Sequence, residues 1–426
     1  MTQYANWSYP TNIRFGVGRI SELSDVCIQA GIHKPLLVTD RGLSNHKITH
    51  QALDIMEKGG IGRAEFSDVD PNPNEINLAD GIKVFIDGGH DGVIAFGGGS
   101  GLDLGKMVAF MAGQSRPIWD FEDVGDYWLR ADAKVIKPIV AVPTTAGTGS
   151  EVGRASVITN TKTNVKKIIF HPKVLPATVI VDPQLTISMP PSITAGTGLD
   201  AFAHCVEAFS SPNYHPMSQG IALEGMKLVI ENLPIVYNDG ANLTARAHMM
   251  SAAMMGATAF QKGLGAIHAM SHPIGALFNT HHGTTNAVCM PAVLALNRPH
   301  ISDKFDLAAK YLGIDRGFDG FCDFVKSFND QFSIPRTLKG LGVDPQRLDE
   351  LIDMALEDPS CGGNPVKLNK RNMRSLALTD VLWHDAHDSN FSVRSTSGYE
   401  IHVMGRPRYI RHGEIAAVCS HALHEA

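Results

Sequence analysis

Four short apolar runs punctuate the first half of the chain: KPLLVTD (Lys34 to Asp40), DGVIAF (Asp91 to Phe96), KPIVAVPTT (Lys137 to Thr145) and ATVIVDP (Ala177 to Pro183). They are nearly continuous rather than alternating, which fits parallel strands buried on both faces. Stretches with helical patterning lie between them, such as HQALDIMEKGG, and PNPNEINLADGIKVFIDGG after its opening turn residues. This alternation predicts an α/β layer with a parallel sheet. After about Pro190 the strand signals fade. SQGIALEGMKLVIENL, TARAHMMSAAMMGATAF, KFDLAAKYLG and PQRLDELIDMALED all read as helices. The pattern therefore divides the chain into an α/β domain over 1–190 and an all-α domain over 191–380, with the boundary at the turn from Met189 to Ser192. The Met249 to Met255 run belongs to core packing. Residues 381–426 are rich in histidine and aromatics but lack periodicity, and read as an edge arm or extension rather than a second metal site.

Length supports two domains, because 426 residues exceed what one core usually organises. Charge excludes one class of partner. The 37 basic and 43 acidic residues leave a net charge of −6 with no basic block, which argues against nucleic acid. No run of ~20 apolar residues is present to span a bilayer, and MTQYANWSYP lacks the charged start of a signal peptide. Cys27, Cys205, Cys289, Cys322, Cys361 and Cys419 are scattered without a CxxC pair, the usage of reduced thiols in a cytoplasmic protein.

Candidate chemistry begins at Gly97-Gly98-Gly99-Ser100, which follows the DGVIAF strand and opens the helical GLDLGKMVAFMAG. Glycines let a phosphate approach the backbone, and a helix N-terminus offers free N–H groups. The same pattern also serves as a plain tight turn, and its spacing matches neither GxGxxG nor a Walker loop. Asp40 ends the KPLLVT strand, where a carboxylate could accept ribose hydroxyls and repel a 2′-phosphate, favouring NAD over NADP. PTTAGTGSEVGR (Pro143 to Arg154) is a second hydroxyl- and glycine-rich loop after a strand.

The stretch from Gly196 to Asn286 carries six candidate metal ligands: Asp200, His204, His268, His272, His281 and His282. Asp200 and His204 are four apart, as are His268 and His272, so each pair shares one helical face. A carboxylate with three imidazoles suits a divalent transition metal acting as a Lewis acid on a substrate oxygen.

Together GGGSGLDLGK, PTTAGTGSE, the DAFAH segment and GLGAIHAMSHPIGALFNTHHG resemble the iron-containing (group III) alcohol dehydrogenase family, from about Phe15 to Leu376. The resemblance implies a Rossmann-like N-terminal domain, a helical C-terminal domain, NAD(P), and a divalent metal, Fe²⁺ or Zn²⁺, held by Asp200, His204, His268 and His282. It places His272 beside the substrate, a candidate acid–base, and gives His281 no role. Asp40, Asn72, Gly98, Gly99, Ser100, Thr144, Thr145 and Lys167 fall where the family contacts cofactor, with Asp103 and Lys106 part of the glycine-loop motif. The implied activity is hydride transfer between a small alcohol or aldehyde and NAD, in a homodimer or higher oligomer. A dehydroquinate-synthase-like lyase, which uses NAD and metal without net redox, is the alternative, and a non-catalytic binding protein a further one. Lys262, six residues before His268, is expected either to meet an anionic tail on the substrate or to cap a helix or point to solvent.

Overall fold

The computed structural model describes residues 11–378, together with a small antiparallel pair of strands, Ser392–Arg394 and Glu400–His402. The first ten residues, Cys419 and the rest of the expected 381–426 extension lie outside the described residues.

The α/β half runs β1 (Asn12–Phe15), α1 (Leu23–Gln29), β2 (Pro35–Val38), α2 (Lys47–Lys58), β3 (Glu65–Phe66), α3 (Glu75–Asp87), β4 (Gly92–Gly97), α4 (Gly99–Met111), β5 (Ile139–Pro143), β6 (Ala155–Asn160), β7 (Val165–Phe170) and β8 (Thr178–Val181). Six strands form a parallel sheet in the order β1-β8-β5-β4-β2-β3. The four apolar runs all became strands of this sheet, and β2, β4 and β5 are buried at every position. Strand side chains alternate between faces. Leu37, Ile94, Phe96, Val140 and Val142 pack with α1 and α2. Leu36, Val38, Val93, Ala95 and Ala141 pack with α3 and α4. The chain therefore leaves β2 toward one face and β4 toward the other, which opens a crevice at their carboxyl ends. β1 is too exposed, and β3 at two residues too short, to leave an apolar signal. The antiparallel hairpin β6–β7 stands outside the main sheet and was also not expected.

From Pro191 the chain is helical: α5 (Pro191–Ser210), α6 (Pro216–Asn238), α7 (Leu243–Ala259), α8 (Ala266–Phe278), α9 (His282–Tyr311), α10 (Gly317–Gln331), α11 (Leu348–Glu357) and α12 (Lys370–Ala377). KFDLAAKYLG is not a separate element but the end of α9, which continues through Pro291 and Pro299. One hydrophobic core runs from the sheet into this half, joining Val38 and Val108 to Leu199, Phe202 and Met249. α5 sits inside it. Pro191 starts the helix with a preset φ, and the helix is buried almost continuously from Thr194 to Ser210.

Candidate functional site

α5 brings Asp200, His204 and Glu207 to one face by their spacing of four and three residues. Asp200 and His204 are 2% and 5% exposed. A carboxylate so deep needs a compensating charge. His204 Nε2 lies 3.7 Å, His268 Nε2 3.9 Å and His282 Nε2 3.5 Å from Asp200 Oδ1. Asp200, His204 and His268 each offer a ligand atom within 4.8 Å of the others.

His282 arrives through a backbone contact. A Cβ on Gly283 would sit 2.0 Å from the Gly196 carbonyl oxygen, so only glycine lets the start of α9 rest on α5. His281 is turned away as the N-cap of α9, where its Nδ1 accepts from the Thr284 N–H.

The donor set fits a divalent metal. The Asn286 amide nitrogen lies 2.8 Å from Asp200 Oδ1, 3.2 Å from His268 Nε2 and 3.3 Å from His282 Nε2. Its two N–H groups cannot serve three acceptors, so lone pairs outnumber protons at this point. Burial lowers the His204 pKa to about 4 and puts that of His282 well below its ordinary value, so both are neutral ligands at pH 7. Burial also opposes charge on His268, but Glu207 outweighs it and raises the pKa. Glu207 Oε2 accepts from His268 Nδ1 at 2.6 Å, and Oε1 accepts from the Ile267 N–H at 2.6 Å. This buried carboxylate fixes the Nδ1–H tautomer and leaves Nε2 for the metal. The spacing Asp200–His204–Glu207 carried that signal in the sequence.

His272 lies one turn beyond His268 on α8 and stacks on His282, with ring centroids 5.3 Å apart and planes 11° apart. Its Nδ1 donates to Asp358 Oδ2 at 2.7 Å. Burial opposes ionisation of Asp358, yet His272 and Ser360 hold its pKa below the ordinary value. Both residues line a cavity of about 160 Å³ with Lys166, Lys167, Glu122 and Asp123. Nothing in the sequence around Asp358 announced this pairing.

Most of the expected cofactor residues gather at the crevice. Asp40 follows β2, and its Oδ1 accepts from the N–H groups of Gly42 and Leu43. Gly97 has φ +136°, and a Cβ there would lie 3.5 Å from Asp40 Oδ2. Gly98 caps α4 with no side chain on the first-turn N–H groups, which remain free for an anion. Thr145 and Thr148 press on Gly98 and Gly99 so closely that Cβ atoms would come within 3.1 Å and 2.9 Å of their methyls. Thr144 is buried against β4, its N–H donating to Gly97 O. Ser100 Oγ donates to Pro71 O at 2.6 Å, and Asn72 Nδ2 to Asn279 Oδ1 at 3.3 Å, which ties this loop to the end of α8.

Three of the expected residues make contacts within the protein. Asp103 does not face the crevice as a free carboxylate. It accepts from Ser150 Oγ and from the Val157 N–H and lies 3.2 Å from buried Lys106, bracing the 144–150 loop. Lys167 Nζ pairs with Glu122 Oε2 at 2.5 Å. The alternation of β7 puts Lys166 nearer the metal ligands instead: its Nζ would lie 3.6 Å from a Cβ on Gly275, and burial lowers its pKa while Asp103 and Asp200 attract its charge. Lys262 takes the capping role. It is 3% exposed, and Nζ donates to the carbonyls of Ala208, Phe209 and Ser211 at 3.0, 3.2 and 2.6 Å, spending all three donors at the end of α5.

Most of the chain also matches known proteins. Residues 10–183 match the profile "Iron-containing alcohol dehydrogenase", and residues 194–380 match the "Fe-containing alcohol dehydrogenase family, C-terminal". The chain is 36% identical over 378 residues to a 4-hydroxybutyrate dehydrogenase of Cupriavidus necator, covering 86% of this chain and 97% of that one. The structure of a 1,3-propanediol oxidoreductase superposes with TM-score 0.83 at 34% identity, covering 88% and 99% of the two chains. A sulfoacetaldehyde reductase from Bifidobacterium kashiwanohense, solved with NAD+, gives TM-score 0.80 at 29% identity, covering 88% and 100%.

Proposed function

Because the chain belongs to the iron-containing alcohol dehydrogenase family, we propose that its metal-dependent, NAD-linked dehydrogenase activity is directed at a short alcohol or aldehyde with an anionic tail. The activity itself, oxidation of a CH–OH donor with NAD, follows from the family and its dehydrogenase relatives. The lyase alternative is not favoured, because those relatives are named for net redox reactions.

Asp200, His204, His268 and His282 would hold the divalent metal, which supplies Lewis acidity toward a substrate oxygen. Asp40 would accept the adenosine ribose hydroxyls of NAD. The free N–H groups at the start of α4 would take its pyrophosphate, and Asn72, Ser100, Thr144 and Thr145 would frame it. NAD supplies the hydride acceptor. His272 Nε2, the nitrogen not used by Asp358, would take the hydroxyl proton: the O–H bond would break, an N–H bond would form, and Asp358 would face the resulting imidazolium. The His272 side chain is 13% exposed, which gives that proton a way out to solvent.

The observation carrying the anionic tail is Lys166. Its ammonium lies over α8 beyond His272, on the wall of the 160 Å³ cavity, and among the described residues nothing accepts a hydrogen bond from it. An anion on a substrate a few carbons long would reach it. The names of a hydroxy-acid dehydrogenase and a sulfonated-aldehyde reductase among the relatives point the same way. Lys166→Met tests this with 4-hydroxybutyrate and 1-propanol as substrates. A loss confined to the acid, mainly in KM, supports the reading. An equal loss on both substrates means that Lys166 serves the cofactor instead, and rejects it. We further propose a cytoplasmic homo-oligomer. Cys27, Cys205, Cys289, Cys322 and Cys361 are free thiols, as a reducing compartment would keep them.

A further inference from the structure

Asp358 reaches His272 from 86 residues further along the chain, and its carboxylate is held at both oxygens. Oδ1 accepts from the Ser360 N–H at 2.8 Å, capping the turn Pro359–Gly363, while Oδ2 accepts from His272 Nδ1 at 2.7 Å. With its side chain 7% exposed, the carboxylate has neither room nor a free oxygen with which to swing away. The imidazole is fixed in turn. His282 stacks flat on one face, His268 packs edge-on with its centroid 5.8 Å away, and Nδ1 is anchored.

We infer that Asp358 is a positioning residue for the reaction: it locks His272 as the Nδ1–H tautomer, so that Nε2 carries the lone pair into the cavity both residues line. The inference rests on the reading of His272 as the proton acceptor. Asp358 Oδ1 is already committed to a backbone N–H, so the oxygen facing His272 can only be satisfied by a proton on Nδ1. A neutral imidazole has one N–H, and placing it on Nδ1 empties Nε2. The same carboxylate then faces the charge that arrives when Nε2 is protonated. Glu207 does the equivalent for the neighbouring His268, whose Nε2 faces the metal. One helix thus presents two imidazoles with the same tautomer, set by two carboxylates from different parts of the chain.

Asp358→Asn is the decisive variant. The asparagine oxygen keeps the Ser360 N–H, so the turn stays capped, and its NH₂ is left facing His272 Nδ1. The imidazole then accepts there and moves its proton to Nε2. Expected is a kcat lower by about 100-fold, in the range for loss of general acid–base assistance, with KM for NAD and metal content as in the parent. Asp358→Ser, which also keeps a capping oxygen but cannot reach the imidazole, should show a smaller loss in kcat. In the double variant with His272→Ala, Asp358→Asn should cost nothing further, because both act through one group. Parent-like kcat in Asp358→Asn overturns the inference. So does a double variant whose loss is the product of the single losses, or a fall in metal content that accounts for the lost activity. Parent-like kcat in His272→Ala would instead refute the proton-acceptor reading itself, which keeps the two failures apart.

Discussion

Replacing Glu207 by glutamine should weaken the metal site without touching a ligand. Both carboxylate oxygens accept from N–H donors at 2.6 Å, one from His268 Nδ1 and one from the Ile267 N–H. Glutamine keeps the shape but has a single acceptor oxygen, so its NH₂ must face one of those donors. If it faces His268, the imidazole has to shift its proton to Nε2, which removes the lone pair aimed toward Asp200. If it faces Ile267, the first turn of α8 loses its partner and the helix carrying His268 is pushed back. The glutamine also lacks the charge that raises His268 basicity against burial. Partners of this kind cost ~10–100-fold in metal affinity when removed, equivalent to about 1.4–2.7 kcal/mol. The assay is titration of metal-free enzyme with Zn²⁺ or Fe²⁺ against a competing chelator. The unfolding midpoint of the metal-free proteins separates site damage from fold damage. At saturating metal, Glu207→Gln should recover most of its kcat. Parent affinity in this variant would refute the claim that Glu207 sets the His268 tautomer.

Asp200→Ala and His268→Ala should lose both metal and turnover, whereas His281→Ala, which removes only a helix cap worth about 1 kcal/mol, should keep its metal by elemental analysis; a full complement in His268→Ala would show that the ligand set is wrong. The parent should prefer NAD in kcat/KM, and Asp40→Gly should narrow that preference by ~10–100-fold, the worth of a hydrogen bond to a charged group; equal or better kcat/KM with NADP in the parent would reject the role given to Asp40. Lys262→Met should destabilise the fold by about 1–3 kcal/mol, since the buried Ala208 carbonyl loses its donor while those of Phe209 and Ser211 keep Lys304. Its selectivity between ethanol and an ω-hydroxy acid should be unchanged, and a selective loss on the acid would return Lys262 to the substrate site.

Features that depend on spacing within one element were legible from the residues alone. Continuous apolar runs marked β2, β4, β5 and β8, because a strand covered on both faces has no polar positions to show. The i, i+4 spacing of Asp200 with His204 and of His268 with His272 put each pair on one helical face before any partner helix was known. Gly97 to Ser100 between strand and helix marked the crevice mouth by the same local logic. Which faces meet was settled by the packing of elements distant in the chain. It seated Gly283 on the Gly196 carbonyl, so that His282 joined Asp200 and His281 did not. It sent Lys262 back to the end of α5 and put Lys166, not Lys167, over α8. It brought Asp358 to His272 across 86 residues. Backbone periodicity is set by bonds and local sterics, so it is written in neighbouring residues. A contact between elements is set by how their surfaces interlock, and a one-residue difference in register or a single missing Cβ decides which side chain arrives.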